Sequence, residues 1–400
     1  GMVAGWVELS KKFGKLPFAQ LFKRAIDYAE NGFPVSPVIA RQWREAIPIL
    51  KNQPGFSESF LIDGKAPQAG QIWHYPAQAK TLKEIAATQG ESFYRGPLAQ
   101  SMVDFAQSTG GCFTMQNFAD NKPDWVEPLA FDYGDYTLLE IPPNGSGIAA
   151  QMALGILQAA NVKQYPAKSA QRIHLQIEAM RLAFADAYAY ISDARSMSVP
   201  VAKLLDRDYL ASRAALIDHN KAGSYAAGDL HSGGTVYLCA ADESGMMISY
   251  IQSNFKGFGS GVVAPGGIAF HNRGMSFSLQ DGHPNQVSPG KRPFHTILPA
   301  FLTKNGKPAM AFGVMGGNMQ PQGHIQFVMR FVDEYLNPQA CSDSPRWRID
   351  DLGKLTVEAA MPASVVDGLR AMGHEVAVQP ANSLDFGSAQ AIAKLSDEDL

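Results

Sequence analysis

The sequence predicts an α+β fold whose first half is mostly helical. Up to about Ile217, apolar residues recur at helical spacing. After Ala222, short runs rich in β-branched and aromatic residues follow one another across tight turns, which is typical of β-hairpins. Because the helices and hairpins show no regular strand–helix–strand alternation, a layered α+β structure is favoured over a Rossmann-type parallel sheet.

Helical spacing predicts the principal helices. The longest, residues 167–191, is apolar around most of its circumference, which indicates a buried helix. The helix predicted at residues 17–30 is stopped by Gly32. Further helices are predicted at residues 96–108, 321–336 and 364–372.

Strands are predicted mainly as hairpins. A first strand, residues 136–141, ends in the turn 142–147 (PPNGSG), after which another apolar helix begins. The first hairpin joins residues 235–241 to 247–253 through the turn 242–245. The second joins residues 297–303 to 309–315 through Asn305-Gly306, a pair typical of type I′ turns. Short strands are also predicted at residues 355–358 and 375–378.

Composition excludes several classes of function. The 400 residues include 34 Lys and Arg against 37 Asp and Glu, so a nucleic-acid partner or a polybasic membrane patch is not expected. No apolar run approaches the roughly 18 residues that a membrane span needs. The three cysteines stand far apart and no H-x-x-x-H pair occurs, which argues against a disulfide framework and a metal site.

The common catalytic motifs are absent from the sequence. No serine lies in G-x-S-x-G, and the glycine-rich segment 257–261 matches neither the phosphate-binding nor the dinucleotide-binding pattern. What remains is Thr235, which begins a predicted strand at the end of a flexible linker, residues 222–234. Most threonines that begin strands only favour the strand, so the neighbouring residues decide between the two interpretations.

The neighbours of Thr235 favour a nucleophile. If the chain were cut between Gly234 and Thr235, the new α-amine, with an ordinary pKa of about 7.7–8.0, could take the proton of the threonine hydroxyl. Gly316-Gly317 follows an apolar strand, and such a pair can present two backbone N–H groups to a developing oxyanion. Neither a metal nor an organic cofactor is then required.

At these positions the sequence resembles the γ-glutamyltranspeptidases, which are N-terminal-nucleophile hydrolases. The resemblance extends over essentially the whole chain, and the segment Gly316–Gly323 (GGNMQPQG) is similar to a transpeptidase-like branch. It implies a four-layer αββα sandwich and self-cleavage before Thr235 into a large-subunit portion, residues 1–234, and a small-subunit portion, residues 235–400. The most specific stretches are 235–242, 258–261, Asn272, 291–293, 316–317 and 337–346.

The resemblance also implies roles for individual residues. Thr235 corresponds to the nucleophile, Gly316 and Gly317 to the oxyanion donors, and Ser253 to a hydroxyl placed against the nucleophile. An ordinary strand serine remains an equal interpretation of Ser253.

Five further positions correspond to the substrate-binding region of the family. Asn254 lies one residue from the family's substrate-binding asparagine, at whose place Phe255 stands, and strand alternation would turn neighbouring residues to opposite faces. The other four positions are Arg273, Ser276, His295 and Thr296. His295-Thr296 replaces a Ser-Ser pair that binds the α-carboxylate, and Ser276 replaces an aspartate that binds the α-amino group.

The sequence also departs from the family at its ends. Family members begin well upstream of Val3-Ala4-Gly5-Trp6, including an arginine for the α-carboxylate, and they continue beyond Leu400. The resemblance therefore predicts either a fragment or a shortened protein.

The sequence supports three hypotheses for the function. The first is a γ-glutamyl hydrolase or transferase with a glutathione-like donor and water or an amino acid as acceptor. The second is an acylase for another side-chain acid such as a glutaryl amide, and the third is an unprocessed, inactive relic. The expected partners are the small-molecule donor and acceptor and the two subunits of one precursor. A homodimer and the compartment, periplasmic, extracellular or cytoplasmic, stay open.

Overall fold

The helices account for most of the first half of the chain, as predicted. The computed structural model describes residues 1–223, 225, 234–350, 352–380, 383 and 385–395, so most of the predicted linker 222–234 lies outside the described residues. The α-helices are α1 Met2–Phe13, α2 Lys23–Asn31, α3 Pro37–Leu50, α4 Phe56–Phe60, α5 Pro76–Thr88, α6 Glu91–Arg95, α7 Pro97–Ser108, α8 Met115–Ala119, α9 Gly147–Ala159, α10 Ala170–Tyr190, α11 Val201–Leu204, α12 Arg207–Ala214, α13 Met319–Asp333, α14 Pro338–Asp343 and α15 Ala363–Ala371.

The strands are concentrated in the second half. They are β1 Phe33–Pro34, β2 Ile72–Trp73, β3 Leu129–Tyr133, β4 Tyr136–Glu140, β5 Gly234–Ala241, β6 Met247–Phe255, β7 Val263–Ala264, β8 Ile268–Ala269, β9 Ala300–Lys304, β10 Lys307–Val314, β11 Trp347–Ile349, β12 Leu355–Glu358, β13 Val376–Gln379 and β14 Ala389–Ala393. Among the described residues, no helix has the length and apolar character needed to cross a bilayer.

The chain forms two compact units. The first contains residues 1–125 and 257–272, and the second contains residues 126–256 and 273–400. In the first unit, an aromatic cluster forms around Trp43, whose ring centroid lies 4.8 Å from that of Trp73 and 5.4 Å from that of Phe258. Every residue assigned to the candidate site by sequence belongs to the second unit.

A five-stranded sheet is the centre of the second unit. Its strand order is β14-β10-β9-β4-β3, and all neighbours are antiparallel. The β9–β10 hairpin turns at Asn305-Gly306 with φ of 51° and 74°, two consecutive left-handed residues as a type I′ turn requires. The second predicted hairpin and its turn are therefore confirmed.

Strand β10 is buried on both faces. Phe312 stacks on Phe327 of α13, with ring centroids 5.3 Å apart. On the other face, Gly313 lies beneath the ring of Tyr237 in β5, where an added Cβ would come within 2.4 Å of a ring carbon. Because neighbouring strand residues point to opposite faces, α13 and the β5–β6 hairpin cover the two sides of this strand.

Helices α9 and α10 are largely buried, as was predicted for α10. Helix α9 follows the turn 142–147, and all its residues from Gly147 to Leu157 are buried. Helix α10 lies within the predicted range 167–191, and the Ser169 side chain caps it by accepting the backbone N–H of Arg172 at 3.2 Å.

Two predicted helices differ from the observed ones at their ends. Residues 17–30 divide into a 3₁₀ turn, Phe18–Phe22, and α2, because Pro17 has an extended backbone and no side chain caps the first turn. Helix α13 begins at Met319, two residues before the predicted start, because Pro321 is tolerated within a first helical turn. It ends at Asp333 rather than 336, close to Tyr335, which has a left-handed φ of 55°.

The predicted strand 297–303 is wrong in its first three residues. The backbone N–H groups of Ile297 and Leu298 donate to side-chain acceptors, His295 Nδ1 at 3.2 Å and Gln320 Oε1 at 3.1 Å. Since these groups do not enter a strand ladder, β9 begins only at Ala300. Seven strands were not predicted from the sequence: β1, β2, β3, β7, β8, β11 and β14.

Candidate active site

Thr235 lies at the beginning of β5, where it was predicted. The strand pairs antiparallel with β6, and the pairing runs from Ala241 opposite Met247 back to Gly234 opposite Phe255. Thr235 is half-buried, so its side chain is neither part of the closed core nor fully in solvent.

A β-bulge lies directly opposite Thr235. Gly234 pairs with Phe255 and Val236 pairs with Gln252, so Thr235 alone faces two residues of β6, Ser253 and Asn254. Bulges occur next to active sites, where they redirect side chains. Regular alternation does not hold at a bulge, so the doubt that it raised about Asn254 loses its basis, and the role of Asn254 stays a prediction.

The bulge is stabilised locally by Ser253 and Phe255. Ser253 Oγ accepts the backbone N–H of Phe255 at 2.8 Å, and Phe255 has a left-handed φ of 82° that is unusual for a bulky residue. The ring of Phe255 is buried and lies 5.3 Å from the guanidinium carbon of Arg273. Ser253 therefore shapes the strand opposite Thr235, in addition to any role of its hydroxyl in catalysis.

Gln320 on α13 binds the hydroxyl of Thr235, and sequence reasoning missed this residue. Its Nε2 donates to Thr235 Oγ1 at 3.2 Å, and its Oε1 accepts the backbone N–H of Leu298 at 3.1 Å. A backbone N–H can only donate, so Leu298 fixes which end of the amide is oxygen and turns the donor end toward Thr235. Gln320 is fully buried, which holds this orientation.

Two further glutamines on α13 show what is specific about Gln320. Gln322 accepts the backbone N–H of Ile349 and donates to its carbonyl, at 2.7 and 3.0 Å. Gln326 likewise accepts the backbone N–H of Trp347 at 3.2 Å and donates to its carbonyl at 3.0 Å. All three amides accept from the backbone of an extended segment, but Gln320 directs its nitrogen to a side-chain hydroxyl.

Gly316 and Gly317 form the turn from β10 into α13. Their φ angles are 123° and 60°, a backbone path that favours glycine at both positions. Their carbonyl oxygens accept the N–H groups of Met319 and Gln320 at 3.1 and 3.0 Å. Both glycines therefore lie at the N-terminus of the helix that contains Gln320, where the helix dipole favours negative charge. Their assignment as oxyanion donors stays a prediction.

Arg273 and Ser276 lie together in one 3₁₀ turn. Arg273 is buried, and its Nη2 donates to the Ser253 carbonyl at 3.5 Å, which connects this turn to the bulge. Burial lowers the pKa of Arg273 to about 10, so the side chain is still protonated at neutral pH. Ser276 is half-buried, and its carbonyl accepts Nδ2 of Asn285 at 2.6 Å.

His295 and Thr296 pack against the turn 142–147. The His295 N–H donates to the Asn144 carbonyl at 3.0 Å, and its own carbonyl accepts the N–H of Ser146 at 2.9 Å. Thr296 is buried. Burial, followed by the charges of Arg273 and Arg292, lowers the pKa of His295 to about 3.

His295 is therefore a neutral ring. Its Nδ1 accepts the N–H of Ile297 at 3.2 Å, which leaves the ring proton on Nε2. At neutral pH this ring offers a substrate one N–H and no charge.

The structure brings the candidate residues together in two groups. The bulge places Ser253 and Asn254 opposite Thr235, and Gln320 in the first turn of α13 binds its hydroxyl. Gly316-Gly317 lies in the turn just before α13. Arg273 joins the bulge through the Ser253 carbonyl, and Leu298, which binds Gln320, follows shortly after His295-Thr296. Ser276 lies on the same turn as Arg273.

A strand-opening threonine, a buried amide that donates to its hydroxyl and a glycine pair before a helix agree with the expected N-terminal-nucleophile hydrolase. The γ-glutamyltranspeptidase family model matches residues 1–400, and the chain belongs to this family.

Curated relatives of the chain include several proenzymes with different named activities. A glutathione hydrolase-like proenzyme of Bacillus subtilis, YwrD, is 34% identical over 406 residues, covering 100% of this chain and 76% of the relative. An oxamate amidohydrolase proenzyme of Klebsiella pneumoniae is 36% identical over 405 residues, covering 98% and 76%. An acylase proenzyme of a Pseudomonas species, ACY 1, is 32% identical over 387 residues, covering 95% and 69%.

The fold agrees with that of a solved relative. The crystal structure of a cephalosporin acylase from Bacillus halodurans superposes with a TM-score of 0.91 at 43% identity, covering 98% of this chain and 73% of the acylase. The mixed α+β architecture predicted from the sequence is therefore confirmed.

Proposed function

We propose that the chain is a proenzyme that cleaves its own Gly234–Thr235 bond and then uses Thr235 to cleave γ-glutamyl amides. The observation that supports this most strongly is the position of Thr235: it begins β5 opposite the bulge, and its hydroxyl is held by the buried Gln320 amide. Named proenzymes among the relatives agree with a cleaved precursor.

Self-cleavage begins with the hydroxyl of Thr235. Its oxygen attacks the Gly234 carbonyl carbon, the C–N bond breaks, and the proton moves to the departing nitrogen, which gives an ester and a free α-amine. Water then hydrolyses the ester and leaves the Gly234 carboxylate and Thr235 with both amine and hydroxyl. The products are a large subunit, residues 1–234, and a small subunit, residues 235–400, of a chain for which we propose a four-layer αββα sandwich.

Turnover repeats this chemistry on a substrate amide. The new amine takes the proton of the Thr235 hydroxyl as the oxygen attacks the acyl carbon, and it returns the proton to the leaving amine. The backbone N–H groups at Gly316-Gly317 stabilise the oxyanion, and Gln320 and the Ser253 hydroxyl position the nucleophile. Water or an amino acid then releases the acyl group.

The proposed donor region consists of Arg273, Asn254, Ser276 and the pair His295-Thr296. The buried cation of Arg273 and the neutral donors of His295 and Thr296 suit an acyl group with a terminal carboxylate. Ser276 provides no negative charge for a donor's ammonium group. This observation favours a second candidate, an acylase for a side-chain acid without the α-amino group, such as a glutaryl amide.

A panel of p-nitroanilides tests the proposal. We expect processed protein to release p-nitroaniline from γ-glutamyl and glutaryl donors at measurable rates, and Thr235→Ala to release none. If only the glutaryl donor is cleaved, the second candidate replaces the first. If processed protein cleaves neither donor, the proposed substrate class is wrong, and absence of processing would favour an inactive relic.

A further inference from the structure

A buried cluster of potential metal ligands lies in the second unit, among residues that the proposed reaction does not use. His174 and Glu178 are one turn apart on α10, and His374 lies between α15 and β13. One ligand atom from each lies within 4.8 Å of the other two, and all three side chains are at most 4% exposed. His-x-x-x-Glu on one helix face together with a distant histidine is a spacing that suits a single ion.

The hydrogen bonds of His174 prepare one ring nitrogen for a metal. Its Nε2 lies 2.8 Å from the carbonyl oxygen of Asp218, which can only accept, so Nε2 carries the hydrogen and Nδ1 carries the lone pair. Histidines that bind metals commonly donate their other ring N–H to a backbone carbonyl in this way.

His374 completes the pair of rings. Its Nε2 lies 2.7 Å from Nδ1 of His174, so a single hydrogen now lies between the two nitrogens. Nδ1 of His374 is buried without a hydrogen-bond partner among the described residues. A cation between the rings would use both lone pairs once the hydrogen moves to Nδ1 of His374.

Glu178 supplies a carboxylate that already has three partners. Its Oε2 accepts the backbone N–H of Gly223 at 2.7 Å, its Oε1 pairs with Arg181 at 3.3 Å, and Tyr225 hydrogen-bonds to the same carboxylate. The charge of Arg181 also acts on His374, so a bound cation requires Arg181 to turn away. Each carboxylate oxygen has two lone pairs, so one oxygen can keep its present partner and still bind a cation.

We propose that His174, Glu178 and His374 form a binding site for one Zn²⁺-type ion. Two imidazole nitrogens and one carboxylate oxygen match the ligands and softness that Zn²⁺ prefers, with water in the fourth tetrahedral position. Zn–ligand bonds of about 2.0–2.2 Å place tetrahedral ligand atoms about 3.3–3.6 Å apart. The two ring nitrogens, now 2.7 Å apart, would separate by about 0.6 Å, and ligand atoms now as far as 4.8 Å apart would approach by about 1.2–1.5 Å. The ion would join α10 to the loop before β13, and thereby the two portions that the proposed cleavage separates.

The test is metal binding by the full chain without a histidine tag. After dialysis against a chelator, Co²⁺ is added as the probe and its tetrahedral visible absorption is followed, and Zn²⁺ is then added in competition. We expect one Co²⁺ per chain, displaced by one Zn²⁺, and an increase in melting temperature with each metal. The result is independent of cleavage before Thr235, so it can fail while the proposed function stands.

Two variants and a control identify the ligands. His374→Gln and Glu178→Gln should each weaken Co²⁺ binding by about a hundredfold or more, and Glu178→Gln keeps an acceptor for the Gly223 N–H. The control is His74→Gln, which removes an exposed histidine of the first unit and should bind as the parent does. The proposal is overturned if the parent chain shows no stoichiometric Co²⁺ band, a result that needs no variant to fold, or if both variants bind Co²⁺ as tightly as the parent.

Discussion

The two halves of the candidate site differ in how they are held and in what they offer a substrate. The reactive half, Thr235 with Gln320 and Gly316-Gly317, is built on a strand end and on the first turn of a buried helix. The recognition half, around Arg273, Ser276 and His295, lies in a 3₁₀ turn and in loops. Each group of the reactive half has a role in the proposed acyl transfer, whereas the recognition half offers a buried cation, Arg273, beside the uncharged side chains of Ser276 and His295.

We therefore expect the site to determine the type of reaction more strictly than the identity of the substrate. Both ends of the Gln320 amide are hydrogen-bonded, the oxygen to the Leu298 N–H and the nitrogen to the Thr235 hydroxyl. The proposed nucleophile therefore has a defined partner before any substrate binds. The neutral ring of His295 and the hydroxyl of Ser276 would bind many polar acyl groups with similar strength. Relatives at 32–36% identity have different named activities, so the family alone does not determine the substrate.

The largest effect is expected at Thr235. Thr235→Ala removes the attacking oxygen, so we expect no cleavage of the precursor and a loss of turnover of at least about 10⁴-fold. Thr235→Ser keeps the oxygen but loses the methyl group that restricts χ1, and should keep part of both activities. Precursor mass and p-nitroanilide hydrolysis measure the two effects, and substantial hydrolysis by the alanine variant would contradict the mechanism.

The next effect tests whether Gln320 acts on the nucleophile. Gln320→Glu keeps an acceptor for the Leu298 N–H but removes the donor to Thr235 Oγ1, so kcat should fall by roughly 10²-fold. Gln322→Glu is the matched control, because the same change on the same helix removes donors to backbone carbonyls only. We expect the control to lower the melting temperature while kcat of the folded protein changes less than about threefold. Equal losses of kcat in both variants would show that Gln320 is only structural.

The variant Ser276→Asp tests whether residue 276 faces the α-amino group of the donor. A carboxylate at this position would bind the ammonium of a γ-glutamyl donor, and a charged hydrogen bond contributes roughly 1.5–3 kcal/mol. The ratio of kcat/KM for γ-glutamyl over glutaryl p-nitroanilide should therefore rise by about ten- to a hundredfold. If the substitution changes kcat/KM by the same factor for both p-nitroanilides, Ser276 does not face the α-amino group.

The smallest effect concerns the charge of His295. Its pKa of about 3 in the folded chain lies below its ordinary value of 6.5, so the unfolded chain binds the additional proton between these values. Stability should therefore fall as the pH decreases from 6.5 toward 3, by at most about 1.4 kcal/mol per pH unit from this group. Urea unfolding of the parent and of His295→Asn at pH 7 and pH 5 measures this, and the variant should lose less stability on acidification. An equal loss in both would show that His295 is not buried as a neutral ring.

Elements with a strong periodic pattern could be predicted from the sequence. Helix α10, both hairpins and the Asn305-Gly306 turn follow from apolar spacing and turn chemistry, which are local properties. Thr235 and Gly316-Gly317 could be selected because a glycine-preceded threonine and a glycine pair after a strand are unusual patterns.

Gln320 and the bulge could not be predicted because they depend on contacts between distant parts of the chain. The hydrogen bond from Gln320 to Thr235 joins residues 85 apart in sequence, and α13 contains two further buried glutamines with the same local pattern. The bulge depends on how β6 pairs with β5, so regular alternation was assumed for Ser253 and Asn254 although it does not hold there. The early residues of the strand predicted at 297–303 failed for the same reason, since a side chain of α13 takes the N–H of Leu298.

The most direct test of the central claim is the state of the Gly234–Thr235 bond. Purified protein is incubated and its intact mass and new N-terminal residue are determined, with Thr235→Ala as the uncleaved reference. We expect one piece of 234 residues and a second of 166, the remainder of the 400-residue chain, which begins with Thr235. A chain that stays uncleaved, or cleavage at another bond, would contradict Thr235 as the N-terminal nucleophile.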